Sequence, residues 1–124
     1  MKEITKAQED LLKALWVIKE GAVSDILDSL PNPKPAYNTV ATVIKVLEKK
    51  GYVSHKTYGK THVYFPVVTK KEYASYILKD TFKGLFNGSL NQLVSTFVKS
   101  KDISLSDLED LKEMLDKEID NKKQ

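Results

Sequence analysis

Hydrophobic residues recur at helical spacing in three segments of the first fifty positions. The first segment begins after the capping residue Thr5, and we expect it to end at Gly21 in a left-handed conformation. The second is short, with Ser24 as its expected N-cap, and it stops at the proline-rich segment 31–35 because proline cannot continue a helix. The third is predicted to run from Ala36 to Lys50.

The pattern then changes to that of a β-hairpin. Residues 52–58 and 61–67 are rich in β-branched and aromatic side chains, with Gly59 and Lys60 at the tip between them. The alternating apolar residues of the second strand are Val63, Phe65 and Val67. A lone hairpin is marginal in water but is stabilised by packing on helices. Three helices and a hairpin within 68 residues predict a winged-helix domain over 1–68.

The remaining residues, 69–124, are predicted to be helical. Thr69 and Glu72 form a capping box, a turn is expected at 87–89, and a last helix starts after Ser104 or Ser106. So short a segment cannot easily bury its own apolar faces, and pairing with an identical copy would cover them; the alternative is that the helices fold back on the first domain. The candidate dimerisation residues are Ile77, Leu78, Phe82, Leu85, Leu93, Phe97, Leu108, Leu111 and Leu115. The expected fold class is mainly α with a small antiparallel hairpin, a winged helix-turn-helix domain followed by a helical dimerisation region.

Composition narrows the class of protein. Of the 124 residues, 41% are hydrophobic and 30% are charged, which is typical of an ordinary globular chain. The absence of cysteine excludes disulfides, thiolate metal sites and a cysteine nucleophile, and it fits a cytoplasmic protein. No apolar run approaches the ~20 residues that a membrane span needs, and the first ten residues contain no signal-peptide core, so we expect no membrane insertion.

The distribution of charge points towards nucleic acid. Residues 1–68 carry a net charge of +3, whereas residues 69–124 are balanced. At 100° per residue, the polar side of the third helix carries Asn38, Thr42, Lys45 and Lys49, with no acid on its centre line. A solvated helix face is the plain alternative to a DNA-reading face.

The residue types on this helix and on the hairpin suit duplex DNA. Asparagine pairs bidentately with adenine, and threonine can bond a base or contact a thymine methyl, so the candidate base contacts are Asn38, Thr39 and Thr42. The candidate backbone contacts are Tyr37, Lys45, Lys49, Lys56 and Lys60. All 20 basic residues are lysine, so arginine readout of guanine does not occur in this chain.

No catalytic constellation competes with this interpretation. His55 and His62 are the only histidines; they lie on opposite strands of the predicted hairpin, and a metal site would need more ligands. We interpret them as exposed or wing-stabilising. The chain also has no glycine-rich phosphate loop. The sequence therefore predicts a protein that is not an enzyme and that needs no metal or cofactor.

Two stretches carry a resemblance to a known family. The first is the run from Pro35 to Val53, PAYNTVATVIKVLEKKGYV, with the hairpin ending in Tyr64. The second is LVSTF, residues 93–97, followed by Asp102-Ile-Ser and a leucine-rich final helix. On these residues the chain resembles the penicillinase-repressor (BlaI/MecI) family and, more distantly, copper-responsive repressors. The resemblance implies a dimeric winged-helix repressor of pseudo-palindromic operators, with base contacts at the Asn38-Thr39-Thr42 end of the recognition helix.

The resemblance also bears on how repression ends. In antibiotic-responsive members a membrane sensor triggers cleavage of the repressor between Asn and Phe, so a sensor or protease is an implied partner. Aligned on Phe97, this chain has Thr96 in place of that Asn. Copper-responsive relatives use a cysteine-rich C-terminus, which this chain lacks. The expected function is therefore a homodimeric, sequence-specific repressor; the alternative is a winged-helix protein-interaction or adaptor module without specific DNA binding.

Overall fold

The structure, a computed structural model, describes residues 1–87 and 89–124; Gly88, in the predicted turn at 87–89, lies outside the described residues. The chain divides into two compact units, Met1–Ile77 and Leu78–Gln124. The elements in chain order are α1 (Lys6–Ile18), α2 (Val23–Ser29), α3 (Tyr37–Lys49), β1 (Val53–Tyr58), β2 (Thr61–Pro66), α4 (Lys70–Phe86), α5 (Leu90–Val98) and α6 (Leu105–Lys123). This arrangement confirms the mainly α fold class with a small antiparallel hairpin.

The first unit is built around one apolar core. Its first three helices contribute leucine, isoleucine and valine side chains, and the hairpin, the residue before it and α4 add three tyrosines and a valine. The buried residues are Leu11, Leu12, Leu15, Ile26, Leu30, Val40, Ile44, Leu47, Tyr52, Val53, Tyr64 and Tyr73. Burial of these faces stabilises three short helices that would be marginal alone. The core therefore fixes the position of α3 relative to the other helices of this unit.

The end of α1 differs from the prediction. Lys19, and not Gly21, takes the positive φ of 75°. Gly21 instead forms an isolated bridge with Tyr64, through hydrogen bonds of 3.0 Å and 2.8 Å. A Cβ on Gly21 would lie only 2.9 Å from the Cβ of Asp25. The expectation of a left-handed Gly21 was wrong, because glycine is required here for close approach rather than for positive φ.

The start of α2 also differs from the prediction. The N-cap is Ala22 and not Ser24, which lies within the first turn. Asp25 stabilises this end, since its Oδ2 accepts a hydrogen bond of 2.9 Å from the Ala22 amide. The N-terminal amides of a helix lack partners within the helix, and an acidic side chain of the first turn can bond one of them. This contact removes the need for a capping side chain at the first position.

The hairpin follows the predicted element order and has a two-residue loop. Its strands pair antiparallel from Val53 opposite Pro66 to Tyr58 opposite Thr61, and Gly59 in the loop has a φ of 63°. The predicted strands were one residue too long at their outer ends, since Tyr52 and Val67 lie outside them.

The face of β2 that reaches the core is not the alternating set Val63, Phe65 and Val67. Tyr64 is buried instead, because it lies opposite His55 and shares a face with Val53. Val67 is exposed, and Val63 and Phe65 are half-buried. The bridge to Gly21 holds Tyr64 on this side.

Helix α4 begins on the first unit. Thr69 and Glu72 form the predicted capping box, with bonds of 3.1 Å and 3.2 Å. The indole nitrogen of Trp16 donates to the Val68 carbonyl at 2.9 Å, and the rings of Trp16 and Tyr73 lie 5.9 Å apart. The division between the two units falls within α4, later along the chain than the predicted boundary after residue 68.

The second unit consists of the end of α4, α5 and α6. Ser89 caps α5 by accepting from the Gln92 amide, and Ser104 caps α6 by accepting from the Asp107 amide. Of the two candidate starts for the last helix, Ser104 is therefore the cap. None of the described residues of this unit is buried. No helix among the described residues is long and apolar enough to cross a bilayer.

Candidate nucleic-acid interface

Helix α3 has a fully buried side and a fully polar side. Val40, Ile44 and Leu47 are 0% exposed and hold the helix to the core. The opposite line consists of Asn38, Thr42, Lys45 and Lys49, all of them exposed; we call these four residues the recognition face. Thr39, the third candidate base contact, is exposed beside the recognition face. The structure thus brings together the predicted contacts of the third helix on one accessible surface.

The hydroxyl of Thr42 already donates a hydrogen bond within its own helix. Its Oγ1 donates a hydrogen bond of 2.9 Å to the Asn38 carbonyl, one turn earlier. The hydroxyl oxygen can still accept, and the methyl group stays exposed. Thr42 can therefore contact a base amino group or a thymine methyl, while donation to a base would require breaking the internal bond.

The N-terminal end of α3 is left open to an anion. Ala36 provides no side-chain cap, and the first turn contains no acidic residue. Free amides and the helix dipole make such an end attractive to a phosphate. Tyr37 is exposed at this end, where its hydroxyl can donate to a phosphate oxygen of a DNA backbone.

The lysines at the other end of the recognition face carry free positive charge. Among the described residues, no carboxylate lies within 4.0 Å of Lys45 or Lys49. The neighbouring Lys50 is engaged differently, because its ammonium donates to the Glu3 carbonyl and to Gln8, each at 2.9 Å. Lys50 thus fixes the N-terminal segment, whereas Lys45 and Lys49 remain available for phosphates.

The hairpin adds two lysines and an exposed aromatic residue. Lys60 lies in the two-residue loop, and the ammonium of Lys56 lies 5.4 Å from the centre of the Phe65 ring. Tyr58, adjacent to the loop, is 59% exposed. Tyr58 was not among the contacts predicted from the sequence, although its place beside the tip glycine was a usable signal.

A contact between α3 and the hairpin was also missed from the sequence. Glu48 Oε2 lies 2.5 Å from His55 Nδ1. The carboxylate of Glu48, beside the recognition face, therefore contacts a histidine of the hairpin. His55 and His62 have ring centres 4.4 Å apart, and His62 Nδ1 lies 3.0 Å from Thr57 Oγ1. His55 therefore joins the hairpin to α3, whereas the contacts of His62 lie within the hairpin. The part of the chain that the structure describes contains no group of three or more potential ligands that could hold a metal ion.

The predicted dimerisation residues differ in exposure. Phe82, Leu93, Leu108 and Leu111 are half-buried within the second unit, and Ile77 belongs to the first unit. Leu78, Leu85, Phe97 and Leu115 are exposed, with Leu85 at 74% and Phe97 at 52%. Large apolar side chains of this unit thus face solvent in the single chain.

The position carried over from the family's cleavage site lies within α5. Thr96 and Phe97 are both exposed there. The Thr96 hydroxyl donates to the Gln92 carbonyl at 2.9 Å. Both residues are thus accessible while their backbone is helical.

Known proteins include relatives of this chain over nearly its whole length. The family model described as penicillinase repressor matches residues 4–117. The methicillin resistance regulatory protein MecI of Staphylococcus aureus (strain N315) is 27% identical over 116 residues, covering 93% of this chain and 94% of that protein. The penicillinase repressor of Bacillus licheniformis is 23% identical over 123 residues, covering 98% and 96%.

A solved structure described as a possible transcriptional regulator for arsenical resistance has a TM-score of 0.50 at 19% identity, over 73% of this chain and 88% of that one. At that identity it shows the fold alone. The relatives are transcriptional repressors and not enzymes, as the sequence predicted. The resemblance found on the sequence is thereby confirmed: the chain belongs to the penicillinase repressor family of transcriptional repressors.

Proposed function

We propose that this protein is a sequence-specific DNA-binding repressor that acts as a homodimer on a pseudo-palindromic operator. The observation that carries the proposal is the recognition face, which is exposed, contains no acid and lies on a helix whose other side is locked in the core. The major groove of B-DNA admits an α-helix, so α3 can present this face to the bases.

The base contacts that we propose lie in the first half of α3. The Asn38 amide can pair bidentately with adenine N6 and N7. Thr39 can donate to or accept from a base edge. Thr42, whose proton is held by the Asn38 carbonyl, would accept a bond or contact a thymine methyl. These three residues would give the operator its sequence preference.

The remaining candidates would position the protein on the phosphates. Lys45 and Lys49 follow the base-reading residues along the recognition face, and the open N-terminus of α3 with Tyr37 lies at its other end. Lys56 and Lys60 extend the positive surface onto the hairpin. Phosphate contacts fix the register of a protein on the duplex and contribute most of the salt dependence of binding.

The homodimer is supported by the unburied apolar side chains of the second unit. Leu85 and Phe97 are mostly exposed in one chain, and two copies related by a two-fold axis would cover them. We therefore assign 69–124 to dimerisation and 1–68 to DNA binding. A two-fold dimer would require half-sites in inverted repeat, one or more helical turns apart. The named relatives come from bacteria, whose DNA lies in the cytoplasm, and we place this protein there too.

The names of the relatives suggest which kind of gene is controlled. MecI is described as a methicillin resistance regulator, and the Bacillus protein as a penicillinase repressor. Control of an antibiotic-resistance gene is thus our proposal for this chain. Cleavage between Thr96 and Phe97 under a sensor's control stays a prediction from the resemblance, with Thr96 at the position of the family's Asn.

Fluorescence anisotropy tests the proposed function. The probe is a labelled duplex from upstream of the protein's own gene, compared with a scrambled duplex over a range of salt concentrations. We expect much tighter binding to the native duplex, two chains per site and an affinity that falls steeply with salt. Equal, weak binding to both duplexes contradicts sequence specificity at this site. No binding even at low salt would favour the protein-interaction module instead.

A further inference from the structure

The first unit contains a cavity of about 650 Å³ between α1, the proline-rich segment after α2 and the first two turns of α3. Its lining is mostly apolar. Leu11, Leu30 and Val40 contribute from the core, and the three prolines of segment 31–35 form a second wall. This volume lies within the range of small-molecule sites, about 300–1,000 Å³.

The proline wall is held in place by the chain itself. Proline rings fix their own φ. The ammonium of Lys34, within the same segment, donates to three carbonyls at the end of α2, those of Leu27 at 3.2 Å, Asp28 at 2.9 Å and Leu30 at 2.6 Å. A ligand would therefore enter a formed cavity and would not have to order the loop first, which lowers the entropic cost of binding.

The charged residues of the lining favour an anion. Lys6, Asp10 and Lys13 of α1 contribute a net charge of +1. Lys6 pairs with Asp10 at 2.7 Å, and Lys13 pairs with Glu9 at 3.1 Å, but both lysine side chains are more than half exposed and can turn to a ligand. Thr39 of α3 adds an exposed hydroxyl to the lining. An apolar body would occupy the cavity while a negative group meets the lysines.

We propose that this cavity binds a small amphiphilic monoanion, an apolar chain or ring carrying one carboxylate. Thr39 belongs both to this lining and to the proposed base contacts, so the bound anion lies beside the first turns of α3. There it occupies Thr39, a proposed base contact, and lowers operator affinity. This last step rests on the proposed function, whereas the binding of the anion does not.

Two-dimensional amide NMR spectra of the full chain test the site without DNA. The probes share one apolar chain and differ in charge: sodium octanoate, 1-octanol and octylammonium chloride. We expect saturable shifts at the lining amides of Ala7, Ala14 and Val43. The Kd for octanoate should be about two- to fivefold below that for octanol, as for one exposed ion pair, and octylammonium should bind most weakly. Shifts confined to the second unit, or equal Kd values for the three probes, would overturn the proposal.

Matched variants separate the site from general hydrophobic binding. Ala7→Trp places an indole at the exposed edge of the lining, and Ala74→Trp places one on the exposed surface of α4. Only the first should abolish the saturable shifts. Lys13→Gln should remove the preference for octanoate over octanol, whereas Lys117→Gln, which also follows a glutamate by four residues, should keep it. Equal behaviour within either pair contradicts the assignment.

Dilution of the protein tests a different occupant. Shifts of the lining amides on dilution without any probe would identify a second copy of the chain in the cavity and overturn the proposal.

Anisotropy with the operator duplex then tests whether the bound anion lowers DNA affinity. We expect octanoate to weaken DNA binding by the native chain and not by Ala7→Trp. If the lining amides respond but no duplex binds, the repressor proposal fails and the ligand site stands. If duplex binds but the lining amides do not respond, only the ligand site fails.

Discussion

The hydroxyl of Tyr73 donates a hydrogen bond of 2.6 Å to the carboxylate of Glu9, which joins the first turn of α4 to α1. Tyr73 is only 7% exposed. Burial, and then the bond to Glu9, raise the pKa of Tyr73, while that bond, and then Lys13, lower the pKa of Glu9. The start of α4 is thus fixed to the first unit by a charge-assisted contact within an aromatic cluster.

Removal of this hydroxyl should destabilise the first unit. Tyr73→Phe is expected to lower the free energy of unfolding by about 1.5–3 kcal/mol, because a hydrogen bond to a charged group is lost. Urea denaturation at neutral pH measures the change. Tyr58→Phe is the control, since Tyr58 is largely exposed. Its free energy of unfolding should stay close to that of the native chain. Equal losses in the two variants would mean that the contact contributes nothing.

The same bond makes a contribution to stability that depends on pH. The pKa of Glu9 in the folded chain lies below its ordinary value of 4.5, so the stabilisation is present above pH 4.5 and is lost as pH falls through the lowered folded pKa. The difference in stability between the native chain and Tyr73→Phe should therefore shrink on acidification. Denaturation curves at neutral pH and below pH 4 check this, and a difference that grows in acid contradicts the assignment.

Substitution by alanine should lower the stability of the chain at Gly21 and raise it at Gly84. A Cβ at Gly21 meets the Asp25 Cβ at 2.9 Å, so Gly21→Ala should cost about 1–3 kcal/mol through overpacking. Nothing lies within 4 Å of a Cβ at Gly84 in α4, so Gly84→Ala should stabilise the chain by about 0.5–1 kcal/mol. Thermal unfolding of both variants measures whether each is less or more stable than the native chain. A harmless Gly21→Ala would show that Asp25 moves aside easily.

Asn38 should determine preference at one base pair. Asn38→Ala is expected to cost about 1–3 kcal/mol on the operator and to relax discrimination at a single position. Anisotropy with operators substituted at each position in turn measures the effect. If sequence preference is unchanged, another residue reads that base.

Lys60 should act on all duplexes alike. Lys60→Ala is expected to weaken binding to native and scrambled DNA equally and to reduce the salt slope by about one unit, because one phosphate contact is lost. Lys117→Ala in α6 is the control and should leave the slope unchanged. A loss restricted to one operator sequence would mean that the hairpin reads bases.

The exposed apolar side chains of the second unit provide a direct test of the homodimer. Leu85 is 74% exposed in the single chain and Val17 of the first unit is 80% exposed. In a dimer built on the second unit, Leu85→Glu buries an unpaired charge and should shift the protein to monomers, whereas Val17→Glu should not. Sedimentation velocity distinguishes the two states. Monomers in the native chain, or dissociation by both variants, would contradict this interface.

Local signals predicted most of the first unit, and contacts between distant residues account for what they missed. Helical periodicity is set within a few residues, so it predicted the three helices of this unit and the polar side of α3. The role of Gly21 depends on Tyr64, which is distant in sequence.

The side of β2 that faces the core also depends on contacts between distant residues. Val63, Phe65 and Val67 are the alternating apolar residues, yet Tyr64 buries its ring because strand pairing places it on the face of Val53. The bond between Glu48 and His55 likewise requires the hairpin to turn back towards α3. A period read along one strand cannot show which face a neighbouring helix will cover.

Trp16 is the only tryptophan of the chain, and its indole donates to Val68 and packs 5.9 Å from Tyr73. Its fluorescence is therefore a built-in reporter of the first unit, whereas far-ultraviolet circular dichroism sums helices from both units. Comparing the two signals during denaturation would show, without any label, whether the first unit melts together with the rest of the chain or separately from it.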